Sequence, residues 1–496
     1  MNPAEPQGRP LFILTCVLLS VCFVSGGSSQ ESGVGVMIGQ LLAIPVLFFA
    51  LLKAWPSGRL APVRWSVAVV AFVVLIPLLQ LLPVPAWLWN LPPARVSLQH
   101  DLTTAGVTGL HYRWSLVPAA TERDLLSLLP AVALFFAAIT LGRSALRHVF
   151  GVVIGLALFS LLLGIAQLSA GQHSILNPYP QWVPEMGGVF VNPNHQATAL
   201  ALALVLSVAL MLDARRRARR GDGARALPWV YAVLAAVFAI AIPLTGSRAG
   251  PIIAIVPTVV FVMACGAIPF DRLRHHRPTQ LIFLIAMAAL VVGIYSAMSW
   301  TRGDKVDAIR SILVKQTTLI GFTHAPLGGG IGGFIPLYRQ GVDVSVLRDE
   351  YINNAHNDYA QLWLEGGVLA VFGLLAAFTV LGLRVRRLTK LPARSGPRTM
   401  GLAAMMALLV VILHSWVDYP LRTPALLAVF GLLAGVAGKG IKRSTADRGR
   451  ENSQLSARSV DMVSYVTNDH PRGASSKANE RMARSNTHLC DIRAGS

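Results

Sequence analysis

Tyr351-Ile352-Asn353-Asn354-Ala355-His356-Asn357-Asp358-Tyr359-Ala360-Gln361-Leu362-Trp363-Leu364-Glu365-Gly366-Gly367 runs without a break into the apolar stretch Val368–Leu383. Seven polar or charged side chains fall within the thirteen residues 353–365. Most of the chain consists of apolar runs, where such groups cost free energy unless they are partnered or functional. The junction reads as the mouth of a membrane helix. A helix beginning near His356 places His356, Tyr359, Ala360, Trp363 and Gly367 on one face, with Asp358 and Glu365 on another. A plainer reading stays open: Asn354 or Asn357 caps the helix, while Tyr359 and Trp363 sit in an interfacial aromatic belt.

Outward from this junction, apolar segments of membrane-crossing length recur through a chain of 496 residues that is 54% hydrophobic and only 13% charged. The mean hydropathy is +0.57. These values exclude a soluble globular protein and define an all-α polytopic integral membrane protein. Candidate spans are 11–26, 34–52, 65–82, 125–141, 149–170, 196–212, 229–244, 250–268, 281–300, 359–383, 400–416 and 424–438, about twelve transmembrane helices. The first could be a signal peptide, since Arg9, an apolar core and Ser25-Gly26 follow in order. A second span begins so soon afterwards that an uncleaved helix is preferred.

The formal charge of +20 looks at first like that of a nucleic-acid binder. Its placement says otherwise. With both termini cytoplasmic, 32 of the 43 Lys and Arg fall in inner segments and 11 in outer ones. The surplus is therefore topogenic, and nucleic acid is not an expected partner. Two large outer loops result, 83–124 and 301–358, both expected to contain short helices. The expected organisation is 1–128 (the first three spans and first outer loop), 129–438 (the main transmembrane domain with outer loop 301–358), and a disordered cytoplasmic tail, 439–496. Cys16, Cys22, Cys265 and Cys490 suggest no disulfide framework, and neither CxxC, HExxH nor Asp-x-Asp occurs, so no metal or other cofactor is expected.

The outer segments carry every distinctive polar cluster. Thr245-Gly246-Ser247-Arg248-Ala249-Gly250-Pro251 joins two spans by a tight turn. Ser247 can cap the next helix, and Arg248 at a helix N-terminus makes an anion site. The competing role for Arg248 is snorkelling to lipid headgroups. Arg310, in the short amphipathic segment 306–313, is either a second anion ligand or a solvated arginine paired with Asp307. Ala325–Phe334 is glycine-rich but lacks the Gly-Lys-Ser/Thr of a P-loop, so a close-packed turn or an N–H nest is expected. Asn192 or Asn194 caps the span that follows, with His195 a candidate to line the same outer cavity. In His414–Arg422 the simplest expectation is that Asp418 and Arg422 pair with each other.

The ordered set Phe190–His195, Ser247–Gly250, Arg310, Pro326-Leu327-Gly328 with Gly332-Gly333-Phe334, and Asn354–Asp358 with Glu365-Gly366 resembles the O-antigen ligase and O-antigen/exopolysaccharide polymerase superfamily of bacterial envelope enzymes. The resemblance spans roughly residues 130–435. It implies metal-free transfer of a glycan from undecaprenyl pyrophosphate to an acceptor hydroxyl at the periplasmic face of the inner membrane. Arg248, Arg310 and His356 then match the superfamily's two functional arginines and its histidine. Asn192, Asn194, His195, Arg339, Asn357, Asp358 and Glu365 are secondary candidates, Asp358 and Glu365 to orient His356 or bind the acceptor. Polymerisation of a surface polysaccharide is preferred, because His414–Arg422 looks closer to polymerase-type members, with ligation to lipid A-core next. A transporter or flippase for lipid-linked glycans is the alternative class. A carrier would place charges near the bilayer midplane, whereas these crowd one face.

Overall fold

The structure is a computed structural model and describes residues 9–29, 33–56, 58–107, 109, 112–170, 174–179, 186–266, 305–343 and 352–439, without the side chains of 305–307. All of these residues belong to one compact unit, 1–440. The expected tail, apart from Lys439, therefore lies outside the described residues.

The described chain is helical: α1 (Arg9–Ser25), α2 (Val34–Ala54), α3 (Arg64–Gln80), α4 (Ala86–Trp89), α5 (Pro93–Thr104), α6 (Pro118–Thr140), α7 (Arg143–Ala170), α8 (Pro193–Arg219), α9 (Leu227–Leu244), α10 (Gly250–Ala264), α11 (Lys305–Thr323), α12 (Phe334–Gly341), α13 (Asp358–Thr389), α14 (Gly396–His414) and α15 (Pro424–Gly438). Among the described residues, eight helices are long and apolar enough to cross a membrane, and α1, α10 and α15 are shorter apolar helices. The expected span 281–300 lies outside the described residues, as do Arg348 and Tyr351.

α8 is the axis of the bundle. Of its most apolar window 89% is buried, against 22% for α2 and α9. The outer helices expose Met37, Leu41, Ile44 and Phe48 on α2 and Trp229, Val233 and Ile240 on α9. In water these faces would aggregate; in a bilayer they are the lipid contact. Packing inside depends on small residues. A Cβ at Gly431 would sit 2.2 Å from the Ala131 carbonyl oxygen, and one at Gly435 would sit 2.4 Å from that of Phe135. This Gly-x-x-x-Gly stripe lets α15 lie directly on α6.

The two ends of α8 differ in chemistry. At its C-terminal end Asp213 meets Arg216 and Arg217 at 3.2 Å each and Arg147 at 3.8 Å. Its N-terminus carries Asn192, Asn194 and His195 into a polar site. A satellite core of Leu313, Ile320, Phe334, Leu337, Tyr338, Ala355 and Leu364 ties α11 and α12 to the start of α13. Short helices lie in segment 83–124, as α4 and α5, and in segment 301–358, as α12 beside the longer α11.

One local expectation needs correction, and one open alternative is resolved. α13 starts at Asp358, not His356, because Asn357 Oδ1 accepts from the backbone N–H groups of Tyr359 and Ala360 at 3.0 and 2.9 Å and fixes the cap there. His356 therefore lies outside the helix, in the left-handed region at φ 49°. It cannot share the helical face foreseen for it.

The glycine-rich segment is a close-packed turn, not an N–H nest. Gly329 N–H donates to Leu364 O and Gly330 N–H to Glu365 O, both at 2.9 Å, and Ile331 N–H donates to Gln80 Oε1 at 2.8 Å. A Cβ at Gly328 (φ 74°) would lie 2.5 Å from Glu365 O. Gly367 has φ 58° and ψ −148° and kinks α13 against this turn. Segment 83–124 closes over it: buried Arg95 donates to Gly328 O at 2.8 Å and to Trp114 O, and Trp114 Nε1 donates to Leu327 O at 2.7 Å.

Candidate active site

Asp418, in the turn between α14 and α15, is fully buried. α14 ends at His414, and the chain turns through residues 415–419 into a short 3₁₀ turn, Pro420–Arg422, so Asp418 and Arg422 share no helix. The expected Asp418–Arg422 pair therefore does not form. Asp418 Oδ2 accepts from Asn192 Nδ2 at 3.0 Å and Asn194 Nδ2 at 2.5 Å. Its Oδ1 accepts from the Tyr419 N–H at 2.9 Å. His356 Nδ1 lies 3.3 Å from Oδ1 and His195 Nε2 lies 3.9 Å away.

Burial alone would raise the Asp418 carboxyl. The His356 imidazole beside it, with the charges of His195 and Arg310, more than offsets that and holds it far below the usual carboxylate range. Asp418 is thus a fixed anion around which Asn192, Asn194, His195, His356 and Arg310 gather from three other parts of the chain. Asn192 also caps α8, accepting from Asn194 N–H at 2.9 Å, so the capping and site readings of this motif are both true. Tyr419 stands between the two imidazoles, its ring centroid 4.9 Å from each. Burial, then Asp418, pushes its hydroxyl well above the ordinary range, so it stays neutral.

His356 differs from His195 in access. The His195 side chain is 2% exposed and that of His356 is 24% exposed. Since Nδ1 of His356 has no accessible surface, its exposure belongs to the rest of the side chain. A carboxylate holding the Nδ1 proton leaves the lone pair on Nε2, the state a general base requires.

Arg310, on α11, is partly exposed and close enough for its charge to favour the ionised form of Asp418. The side chain of Asp307, its alternative partner, is outside the described residues. Arg248 is partly exposed in the α9–α10 turn, where Ser247 Oγ accepts from Gly250 N–H at 3.1 Å as the expected cap. A Cβ at Gly250 would sit 3.0 Å from the Ala197 methyl, so this turn lies on the first turns of α8, beside His195 in sequence. Arg339 is exposed on α12.

A second cluster surrounds Arg422. Its Nη1 lies 2.8 Å from Glu365 Oε2 and 3.7 Å from Asp124 Oδ2, and its Nε lies 3.5 Å from Asp358 Oδ1. Burial would lower the guanidinium, but Glu365, Asp358 and Asp124 together raise it above its ordinary value. Asp358 Oδ2 accepts from Ser415 Oγ at 2.8 Å, and Glu365 Oε1 accepts from Gln361 Nε2 at 3.0 Å. Asp358 and Glu365 thus face Arg422; neither has a described contact with His356. Asn357 Nδ2 donates to Trp416 O at 2.7 Å, so its side chain is engaged by the backbone on both sides. Among the described residues no group of three or more His, Cys, Asp or Glu is arranged to hold a metal ion.

These features define a helical membrane protein with a buried acid–imidazole site and arginines gathered at one end of its bundle. Residues 233–378 match the family model described as O-antigen ligase, and over this segment the chain is similar to that family. No curated protein matches the chain. The matched residues include Arg248, Arg310, His356, Asp358 and Glu365. Asn192, Asn194, His195, Asp418 and Arg422 lie outside the match, so half of the site is assembled from chain beyond it.

Proposed function

We propose that the protein transfers a glycan from undecaprenyl pyrophosphate to an acceptor hydroxyl at the periplasmic face of the bacterial inner membrane, without a metal ion. The observation that carries this reading is His356, partly open to solvent and held by its Nδ1 edge against the buried Asp418, with Arg310 nearby. His356 Nε2 takes the proton of the incoming hydroxyl while the oxygen attacks the anomeric carbon. The bond from that carbon to the diphosphate oxygen breaks, and its electron pair leaves with the diphosphate. A single displacement of this kind inverts the anomeric centre.

Arg248 and Arg310 are the proposed ligands of the diphosphate, where two guanidiniums favour the charge that grows as the bond breaks. Such a leaving group needs little acid catalysis, which is why one base suffices. Polymerisation of a surface or exported polysaccharide is preferred, with ligation to lipid A-core next. The bundle is proposed to have twelve spans with both termini cytoplasmic. A flippase is disfavoured because the Asp418 and Arg422 clusters gather at the ends of their helices, where a carrier would hold such groups within the spans.

Deleting the gene and profiling lipopolysaccharide and secreted polysaccharide tests this. Single repeat units stranded on the carrier lipid mean a polymerase, and long polymer stranded there means a ligase. Unchanged glycans would overturn both. With purified protein, chelation of divalent ions is expected to leave turnover intact; a strict metal requirement would refute the mechanism.

A further inference from the structure

Arg422 has three carboxylates around it and no role in the chemistry proposed above. The geometry points to Arg422 as a positioning residue that locks the segment bearing His356 to the turn bearing Asp418. This rests on the proposed acid–imidazole chemistry. Asp358 follows His356 by two residues, and Arg422 follows Asp418 by four. The contact of Arg422 Nε with Asp358 at 3.5 Å is therefore a second tie beside the His356–Asp418 contact at 3.3 Å, joining the same two segments. The 2.8 Å contact with Glu365 extends the lock two turns along α13, just before the kink at Gly367. Asp124 brings in α6 at 3.7 Å.

Two features separate this role from diphosphate binding. The Arg422 side chain is only 16% exposed, and its Nε and Nη1 already face carboxylates. Three acidic groups against one cation also make the surroundings repel an anion. A lysine could supply the charge but not the fork that reaches Asp358 and Glu365 from different nitrogens. His356, already in the left-handed region, lies outside any helix, so ties on either side of it decide where its ring sits.

The test uses full-length protein in lipid nanodiscs with ¹⁵N-labelled histidine. The His356 signal is identified by its disappearance in His356→Gln. In wild type the imidazole is expected to show a protonated Nδ1 and a free Nε2. Arg422→Lys is expected to keep the protein folded, judged by its melting, and to lose that tautomer signature. Turnover of a synthetic undecaprenyl-diphosphate oligosaccharide, read as release of the unloaded carrier, should fall about 100-fold, the scale of an ångström-level misplacement, with its KM little changed.

Should the lysine variant fail to fold, the double variant Arg422→Gln/Glu365→Gln removes one charge of each sign and carries the same comparison. A folded variant that keeps the wild-type signature and turnover would overturn the assignment. So would turnover lost through KM alone. If wild type does not turn over the probe, the proposed function falls, while loss of the signature in the variant still establishes the lock.

Discussion

Asp418 and Arg422 sit four residues apart in one turn and do opposite things. Asp418 is an anion that accepts from two asparagine amides and a backbone N–H, with the His356 and His195 imidazoles 3.3 and 3.9 Å away. Arg422 is a cation among three acids. The first cluster leaves an imidazole, His356, partly open, whereas in the second the partly open members, Arg422 and Asp124, already face each other and Glu365 is fully buried. A closed ionic cluster is costly to bury and is retained where it fixes geometry. An open one has an atom left over for a substrate. The contrast assigns reaction to the Asp418 side and framework to the Arg422 side.

The largest expected effect breaks the contrast at its reactive member. His356→Ala should lower glycan transfer by about 10²–10⁴-fold, the usual worth of a general base, with unchanged abundance in the membrane. Full-length polymer or capped lipid from that variant would remove the assignment. Next comes Asp418→Asn, which keeps the shape and loses the charge. Turnover should fall about 100-fold, since the amide no longer dictates which imidazole nitrogen carries the proton. Because Asp418 is held so far below the normal carboxylate range, wild-type activity lost on mild acidification should not trace to this group. An acid limb that Asp418→Asn abolishes would contradict that.

A smaller loss should separate the arginines from both clusters. Arg248→Lys or Arg310→Lys keeps the charge but loses the bidentate fork, and about 10-fold in kcat/KM is expected for each, on the scale of one charge-assisted hydrogen bond. Replacement of Arg348 should cost less. Equal tolerance at 248 and 348, measured with the same donor, would demote Arg248 to a headgroup anchor.

What could be read from sequence divides along the same physical line. Helices announce themselves through local apolar runs, so the described spans fall where hydropathy places them. His356, Arg310 and the Asn192–His195 motif stand out because polar groups at span ends are conspicuous. The partnership of His356 with Asp418 joins residues 62 positions apart, and nothing local encodes it. The pairing expected within His414–Arg422 does not form: α14 ends at His414, and the turn that follows sends the Asp418 and Arg422 side chains to partners distant in the chain. The docking of Arg95 and Trp114 onto the glycine turn was equally invisible, since only the fold brings those carbonyls within reach. Gln80 shows the same limit. It looks like the polar end of a span, yet it bonds both Glu365 O at 3.0 Å and Ile331 N–H at 2.8 Å.

The smallest effect tests framework alone and concerns the glycine turn. His324 is buried, its Nδ1 has no partner, and burial followed by the charge of Arg95 lowers its pKa to about 4. An unfolded histidine titrates near 6.5. Between those values the unfolded chain binds the proton and the folded chain does not, so stability rises with pH across this window and is lost on acidification. The loss should approach about 2 kcal/mol at pH 5 relative to pH 8. It is read as a fall in melting temperature of the protein in nanodiscs. His324→Gln, which cannot titrate, should flatten that part of the profile while leaving transfer at neutral pH close to wild type, because His324 supports the turn that Arg95 pins and has no described contact with Asp418. A variant that keeps the full acid sensitivity would place its source elsewhere, and one that loses transfer at neutral pH would show that the turn reaches into the reactive cluster after all.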